Sequence, residues 1–427
     1  MILTNNKLIK TLVLFSLLLP FKSAAQEHLS RPYSRFAWGE MQPRSSTLGQ
    51  GMGGTSYAYH SPICINVKNP ASYTAFDSLS SLIEAAITYD FHVLQERGQR
   101  QQGSTMQMDY LYLGLPVASR WMTAFGIQPF SMVSYDYTYT DELSGREDID
   151  KGSGGVYELF WGNAFRITPQ FSAGIQASYL FGTVLHTREL YFKDAENLSL
   201  RTADESEFRG LLLQTGLQYD MPIGKKNLGF GLVYTPSVPA LLRADQRLYR
   251  LSYRVVSGAE EVADTLAWDE KDTKRNRREV CNPTVLGFGV SLSESERFWI
   301  GADFTWSDWS RFSIGGQSDS LADSWRASLG GRWVPNTSAS GYLSKMAYSM
   351  GVFYGKDALL VGSKPLHRMG MSLGVSFPMK KSKTRVGLCL ESGSYGIDAN
   401  TGIHERYNKL TLHMQLHESW YKRGKLE

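Results

Sequence analysis

The fold prediction rests first on one stretch of ten residues, Arg368-Met369-Gly370-Met371-Ser372-Leu373-Gly374-Val375-Ser376-Phe377. Apolar side chains alternate with small or polar ones through all ten residues, which is the period of a β-strand whose two faces meet different surroundings. Strands of soluble sandwiches run about 5–6 residues, whereas a tilted strand that crosses a membrane needs about 9–11. The segment Lys409–His417 repeats the pattern. We therefore predict a transmembrane β-barrel.

The same alternation recurs along the chain and predicts about fourteen antiparallel strands in a barrel domain of residues 81–421. The connections mostly alternate between short and long, as in bacterial barrels with short periplasmic turns and longer external loops. An even number of strands places both ends of the barrel domain in the periplasm. The predicted fold class is all-β, an antiparallel barrel in the outer membrane of a Gram-negative cell.

Charged and polar residues on the second face of these strands cannot point at lipid, because Arg or Lys at the midplane costs about 2–4 kcal/mol. We expect them to face the lumen. The candidate lumen-facing residues are Asp303, Arg326, Arg332, Glu391 and His413.

Tryptophans lie near the ends of several predicted strands. This placement indicates aromatic girdles at the two membrane interfaces. The tryptophans concerned are Trp121, Trp161, Trp299, Trp306, Trp333 and Trp420.

Residues 1–25 have the pattern of a secretory signal peptide. Lys7 and Lys10 precede an apolar run that ends at Pro20, and Ser23-Ala24-Ala25 offers small residues for cleavage. The apolar run is shorter than the roughly 20 residues of a spanning helix. We therefore expect export with cleavage after Ala25.

Residues 26–80 differ from the barrel that follows, since they show little strand periodicity and are too apolar for a free tail. We expect them to fold into the lumen as a plug, or hatch. At the other end, residues 422–427 are predicted to form a basic periplasmic tail.

The composition argues against several other functions. The formal net charge of +4 does not suggest binding to nucleic acid. No motif typical of a catalytic nucleophile, a nucleotide site or a metal site occurs, so we expect neither an enzyme nor a bound cofactor or metal. The three cysteines, Cys64, Cys281 and Cys389, are too few for a disulfide-dependent scaffold, although they allow one pair.

The predicted external segment 241–278 is the longest connection and holds the basic residues Lys274, Arg275, Arg277 and Arg278. Such a cluster suits attraction to anionic lipopolysaccharide or to a partner, and equally a solvated loop. Outer-membrane lipid is the partner that the barrel itself predicts.

The order of several motifs resembles the FadL family of outer-membrane transporters of long-chain fatty acids and other hydrophobic compounds. A Gly-rich segment, Gly49–Gly54, precedes Asn69-Pro70-Ala71 and a first long strand. Farther on, Phe298–Ser310 and Ser324–Gly330 resemble two consecutive strands of that family. The resemblance covers most of the mature chain.

The resemblance implies a fourteen-stranded barrel with an N-terminal hatch. It implies a hatch role for five residues: Gly51, Gly53, Gly54, Asn69 and Pro70. Local turn chemistry explains the same residue types equally well, because Gly permits positive φ and Asn-Pro favours turns.

Two functions remain open from the sequence. The first is passive uptake of long-chain fatty acids or other hydrophobic small molecules, which bind in the lumen and leave sideways past the hatch. The alternative is a non-transporting subunit that joins other outer-membrane proteins in a secretion or assembly complex. An apolar inner surface favours transport, and a lumen filled with paired charges disfavours it.

Overall fold

A computed structural model describes most of the chain beyond the first thirty residues. The predicted signal peptide (1–25) and basic tail (422–427) lie outside the described residues. The described ranges are 31–77, 80–141, 145–193, 196–256, 259–267, 277–317, 321–336, 341–362, 364–379, 383–397 and 402–419.

Fourteen antiparallel strands form one closed barrel, which confirms the predicted fold class and strand number. Each strand pairs with its neighbour in the chain, and β14 pairs with β1 from His404 opposite Gln95 to Ser419 opposite Ser80. The strands are β1 Ser80–Glu96, β2 Gln99–Ala118, β3 Trp121–Asp141, β4 Arg146–Arg166, β5 Phe171–Phe192, β6 Ser199–Ile223, β7 Lys226–Thr235, β8 Thr284–Glu294, β9 Phe298–Asp308, β10 Ser324–Trp333, β11 Ala347–Val361, β12 Lys364–Pro378, β13 Arg385–Gly396 and β14 His404–Ser419.

The alternating pattern determines which face of each strand meets lipid. On β12, Met369, Met371 and Leu373 are 53%, 55% and 51% exposed, whereas Ser372 and Ser376 are buried. Closure pairs the first strand with the last, so the sheet has no free edge. This matters because an unpaired backbone amide in hydrocarbon costs several kcal/mol. We call the end where β1 begins and β14 ends the periplasmic end, following the predicted topology.

The strands differ in length, so one side of the barrel rises above the rest. β6 has 25 residues, whereas β10 has 10. A strand at Leu242–Val256 pairs with the outer half of β6, and strands at Ala259–Ala267 and Arg277–Cys281 pair with it in turn. Part of the predicted external loop 241–278 therefore extends the sheet. Two residues of its basic cluster, Lys274 and Arg275, lie outside the described ranges.

Residues 31–77, which we call the N-terminal segment, lie against the inner face of the wall. Their backbone N–H groups reach strands around the barrel: Ser56 donates to Asp303 on β9, Ile65 to Glu84 on β1 and Gly53 to Ser372 on β12. Its elements are 3₁₀ turns at Pro32–Arg35 and Pro70–Ala75, a strand at Glu40–Met41 and a short helix at Thr47–Gln50.

The remaining elements are short. They are 3₁₀ turns at Pro239–Leu241, Trp309–Arg311 and Leu343–Lys345, and a two-residue strand at Ser313–Ile314. None of the helices among the described residues has the length and apolarity needed to cross a membrane.

Candidate functional site

The wall is interrupted between β2 and β3. These strands pair only through Leu111–Ala118 and Trp121–Ile127. Within the described residues, nothing pairs the outer half of β2, Gln99–Tyr110, with the outer half of β3, Gln128–Asp141. We call this separation the slot: over this stretch the two neighbouring strands of the wall are not hydrogen-bonded to each other.

The slot begins where β3 turns inward. Gln128, Pro129, Phe130 and Ser131 are all buried, although only alternate residues of a wall strand face inside. The pairing of β3 with β4 shifts register between Pro129 and Ser131, which marks a bulge. Proline has no N–H to give to a ladder, so it occurs at strand edges and bulges. Pro129 thus lies where β3 stops pairing with β2.

The N-terminal segment lines the slot from inside. Arg31 N–H donates to Ser134 O at 2.6 Å, and Gln42 N–H donates to Phe130 O at 3.0 Å. Between them, Glu40–Met41 pairs with residues 131–132 of β3. The segment also reaches β2, where the N–H of Thr47 donates to the Tyr110 hydroxyl at 2.9 Å. Both edges of the slot therefore contact the same piece of chain.

Buried charges hold the segment beside the slot. The side chain of Arg31 bonds Glu40 of the segment at 2.5 Å and Asp90 of β1, while Arg368 of β12 bonds Glu40 at 2.7 Å. Lys409 of β14 lies 3.7 Å from Asp90. We call these five residues the charge cluster. Burial would raise the pKa of Glu40, but Arg31 and Arg368 outweigh it and hold that pKa well below its usual range.

A cavity of about 380 Å³ lies between the N-terminal segment and the inner wall. Trp38 of the segment is 1% exposed and forms part of its lining. The Trp38 ring meets Phe130 edge to face at 5.1 Å between ring centroids and Phe312 at 5.4 Å. Further apolar lining comes from Leu212, Val233, Leu321 and Phe353. The cavity also adjoins β3 at Phe130, the residue beside the bulge that opens the slot.

Two of the predicted lumen-facing residues line this cavity, namely Arg326 and Glu391. The guanidinium of Arg326 donates to Gly53 O at 3.1 Å and lies over the Phe353 ring at 3.9 Å from its centroid. No carboxylate among the described residues lies within 4 Å of it. Arg326 is therefore a cation at the cavity wall that retains capacity for an anionic or π-rich ligand.

The other three predicted residues lie elsewhere in the lumen. Asp303 is buried beneath the segment, where it accepts from Ser56 N–H and Tyr57 N–H at 2.7 and 3.0 Å and pairs with Lys68 at 3.0 Å. Arg332 and His413 lie toward the periplasmic end. The structure does not gather the five residues into one site.

The predicted hatch residues all lie in the N-terminal segment against the wall. Gly53 has φ +69°, and a Cβ there would lie 2.9 Å from the backbone N and O of Val352 on β11. Gly54 also has positive φ, while a Cβ on Gly51 would meet Ser349. Asn69 accepts from Ala71 N–H at 3.1 Å and donates to Leu217 O on β6 at 3.2 Å, and Pro70 begins the 3₁₀ turn. These residues therefore shape local turns and also contact the barrel wall.

One comparison assigns the chain to a family. A family model described as BamG matches residues 8–427. The chain belongs to the BamG family. No curated protein matches it.

Solved structures share the fold of this BamG-family barrel at low identity. A FadL homologue of Pseudomonas aeruginosa has a TM-score of 0.57 and 12% identity, covering 90% of this chain and 100% of that one. The Pseudomonas putida toluene transporter TodX has a TM-score of 0.60 and 13% identity, covering 90% and 100%. The monoaromatic hydrocarbon channel CymD has a TM-score of 0.57 and 15% identity, covering 91% of this chain and 99% of that one. The resemblance to the FadL family is confirmed at the level of fold.

The sequence left the most informative residues of the BamG-family barrel unrecognised. Trp38, Arg31 and Glu40 lie in a segment without periodicity, and their partners are remote in sequence. Pro129 did carry a signal, because a proline within a strand pattern indicates an edge or a bulge.

The three cysteines are free, so the permitted pair does not form. Trp299 is not in a girdle: it faces inward and packs edge to face on Tyr59 at 5.1 Å.

Proposed function

We propose that this barrel takes up hydrophobic small molecules, which enter the cavity beside Trp38 and leave sideways through the slot into the outer membrane of a Gram-negative cell. The observation that carries the proposal is the conjunction of the slot with the cavity at Phe130. Burial of apolar matter contributes about 0.8 kcal/mol per CH₂. Capture therefore needs no energy source, and lateral exit delivers the molecule to lipid without crossing the polar periplasmic end.

The cavity chemistry supports an amphipathic or aromatic ligand. Its volume, about 380 Å³, falls at the small end of the roughly 300–1,000 Å³ typical of ligand pockets. Charged side chains share the lining with the apolar ones; they are Glu40, Arg44, Lys68, Arg326, Lys356, Asp357, Arg368 and Glu391. Among them, Arg326 would give a carboxylate or an aromatic ring a partner. Long-chain fatty acids are one candidate class. The toluene and monoaromatic hydrocarbon channels that share the fold suggest small aromatics as the other.

A non-transporting subunit of an outer-membrane complex is the second candidate, and the charge cluster favours it. Paired charges inside the lumen are what a barrel without a substrate path is free to accumulate. Arg31, Glu40 and Arg368 attach the N-terminal segment to the wall at the slot itself. In that case the segment is a structural core, and the functional surface would be one that contacts other outer-membrane proteins.

A matched pair of substitutions tests the first candidate. Val233 lines the cavity and is 3% exposed, whereas its neighbour Leu232 is 46% exposed on the outer face. In purified protein, V233W should abolish saturable binding of a fluorescent fatty acid or aromatic probe, and L232W should leave it unchanged. Equal binding in both variants would argue against the cavity as the ligand site.

A further inference from the structure

A second group of inward-facing polar atoms lies near the periplasmic end, away from the cavity and the slot. These buried atoms have no hydrogen-bond partner among the described residues. They are Nε of Arg332, Nη1 of Arg385, Oγ of Ser376, the hydroxyl of Tyr59, Oε2 of Glu84, both side-chain amide atoms of Gln415, and both ring nitrogens of His413 and of His417. Leaving a buried donor or acceptor unsatisfied costs about 1–3 kcal/mol. Such groups in native proteins are therefore expected to meet water, an ion or a ligand.

The strand register brings three of these residues together. Gly387 on β13 is opposite Ser376 on β12 and opposite His413 on β14. Arg385, two positions before Gly387, therefore points to the same side of the wall. Gly387 has no side chain, and the His413 ring occupies the space that a Cβ would take. Ser376, Arg385 and His413 thus form a contiguous polar patch on neighbouring strands.

Arg332 completes the group from β10. It lies close enough to Arg385 to act on it electrostatically, together with Tyr59, Glu296 and Tyr342. The only carboxylate within 4 Å of Arg332 in the described chain is Glu296, at 3.5 Å, and that side chain is 53% exposed. Arg385 has no carboxylate within 4 Å among the described residues.

Two guanidinium groups therefore face the lumen with one exposed counter-charge between them. The buried carboxylate of β1 on this side, Glu84, accepts from the Ile65 N–H at 2.7 Å through Oε1, while its Oε2 has no partner in the described chain. Like charges held together away from water are costly unless an anion bridges them. Guanidinium groups present paired donors that match carboxylate and phosphate oxygens.

We propose that Arg332 and Arg385 form an oxyanion-binding site at the periplasmic end of the lumen, with Ser376 and His413 as additional hydrogen-bonding groups. The ligand carries a carboxylate or phosphate and approaches from the periplasm or from the inner leaflet. None of these four residues lines the cavity beside Trp38, so the site stands independently of hydrophobic uptake.

Titration of the full mature chain in non-ionic detergent tests the site. The probes are inorganic phosphate and water-soluble dihexanoyl phosphatidylglycerol, measured by calorimetry. Saturable binding of at least one probe is expected, weakened about tenfold or more by R385Q and by R332Q. The matched control is R297Q, which removes the same charge from an exposed position in the turn beside Glu296 and should bind as the parent does.

The outcomes separate the sources of the anion. Binding of phosphate alone supports a free anion, and binding of the phosphatidylglycerol alone supports a lipid headgroup. Absence of saturable binding by the parent protein, or an equal loss in R297Q, overturns the proposal. If R385Q does not fold, judged by heat-dependent gel migration, the parent and R332Q titrations still decide. The V233W variant should retain this binding, which separates the site from failure of the uptake proposal.

Discussion

Arg368 of β12 donates to Glu40 of the N-terminal segment across 2.7 Å, and this ion pair joins the wall to the chain that lines the slot. Glu40 is also bonded by Arg31, so one carboxylate serves two guanidinium groups. Breaking a buried pair by removing one partner strands the other charge, which makes such contacts sensitive to substitution.

R368M should therefore destabilise the packing of the segment, by less than the roughly 3–5 kcal/mol of a fully stranded buried charge, because Glu40 keeps Arg31 as a partner. The measurement is urea-induced unfolding in detergent, together with proteolytic cleavage within residues 31–77. The control is K193M, which breaks the exposed pair with Glu147 and should change neither measurement. Comparable effects of R368M and K193M would show that the cluster does not hold the segment.

The pH dependence of the segment follows from Glu40. Its pKa is depressed in the folded protein, so the stability it contributes is fully present above its unfolded pKa of about 4.3. That contribution is lost as the pH falls from there through the folded pKa. The Glu40 contribution to the protease resistance of residues 31–77 should therefore decline below about pH 4. In E40Q this decline should be shallower; an identical decline would assign it to other carboxylates.

The approach of Gly53 to Val352 predicts a difference between two glycines of similar conformation. Gly98 has φ +85° and open space around it, whereas a Cβ on Gly53 would lie 2.9 Å from backbone atoms. G98A should cost only the strain of a left-handed residue, about 1–2 kcal/mol. G53A should cost more and expose the segment to protease. Equal costs in urea unfolding would mean that the segment yields readily at this contact.

Passage through the slot requires the segment to move away from β2. Gln42 of the segment faces Gln107 of β2 at the slot, with Gln107 Nε2 3.4 Å from Gln42 Oε1. Cysteines at both positions, joined by a short bis-maleimide with Cys64, Cys281 and Cys389 replaced by serine, should stop probe transfer into liposome lipid.

The control cross-link joins the segment to the wall away from the slot. Thr55 and Ser328 are suitable because their hydroxyl oxygens are 2.9 Å apart on β10's side of the lumen. Cysteines there should cross-link without stopping transfer. Continued transfer with the Gln42–Gln107 pair joined would exclude the slot as the exit.

Sequence periodicity was sufficient for the barrel because lipid imposes a period of two on every crossing strand. The inward placement of Arg326 and Asp303 follows from that alternation. The girdle prediction for Trp299 was wrong because it used the residue type and ignored the alternation of the strand. Phe298 and Ile300 face outward, so the residue between them must face inward.

The slot and the cavity depend on contacts that no local pattern encodes. Trp38 meets Phe130, Phe208 and Phe312, which are remote from it and from one another in the chain. Likewise, Arg31 and Arg368 share Glu40 as a partner only because the segment returns through the lumen. Periodicity identifies which residues face inward, but not which of them touch the segment.

Native mass spectrometry of the protein, gently extracted from its own outer membrane, distinguishes uptake of hydrophobic molecules from a subunit role. Hydrophobic uptake predicts a lone barrel that carries an apolar ligand such as a fatty acid or a small aromatic molecule, retained in L232W and lost in V233W. A ligand-free barrel in a stoichiometric complex with other envelope proteins would contradict uptake as its role and support the subunit function.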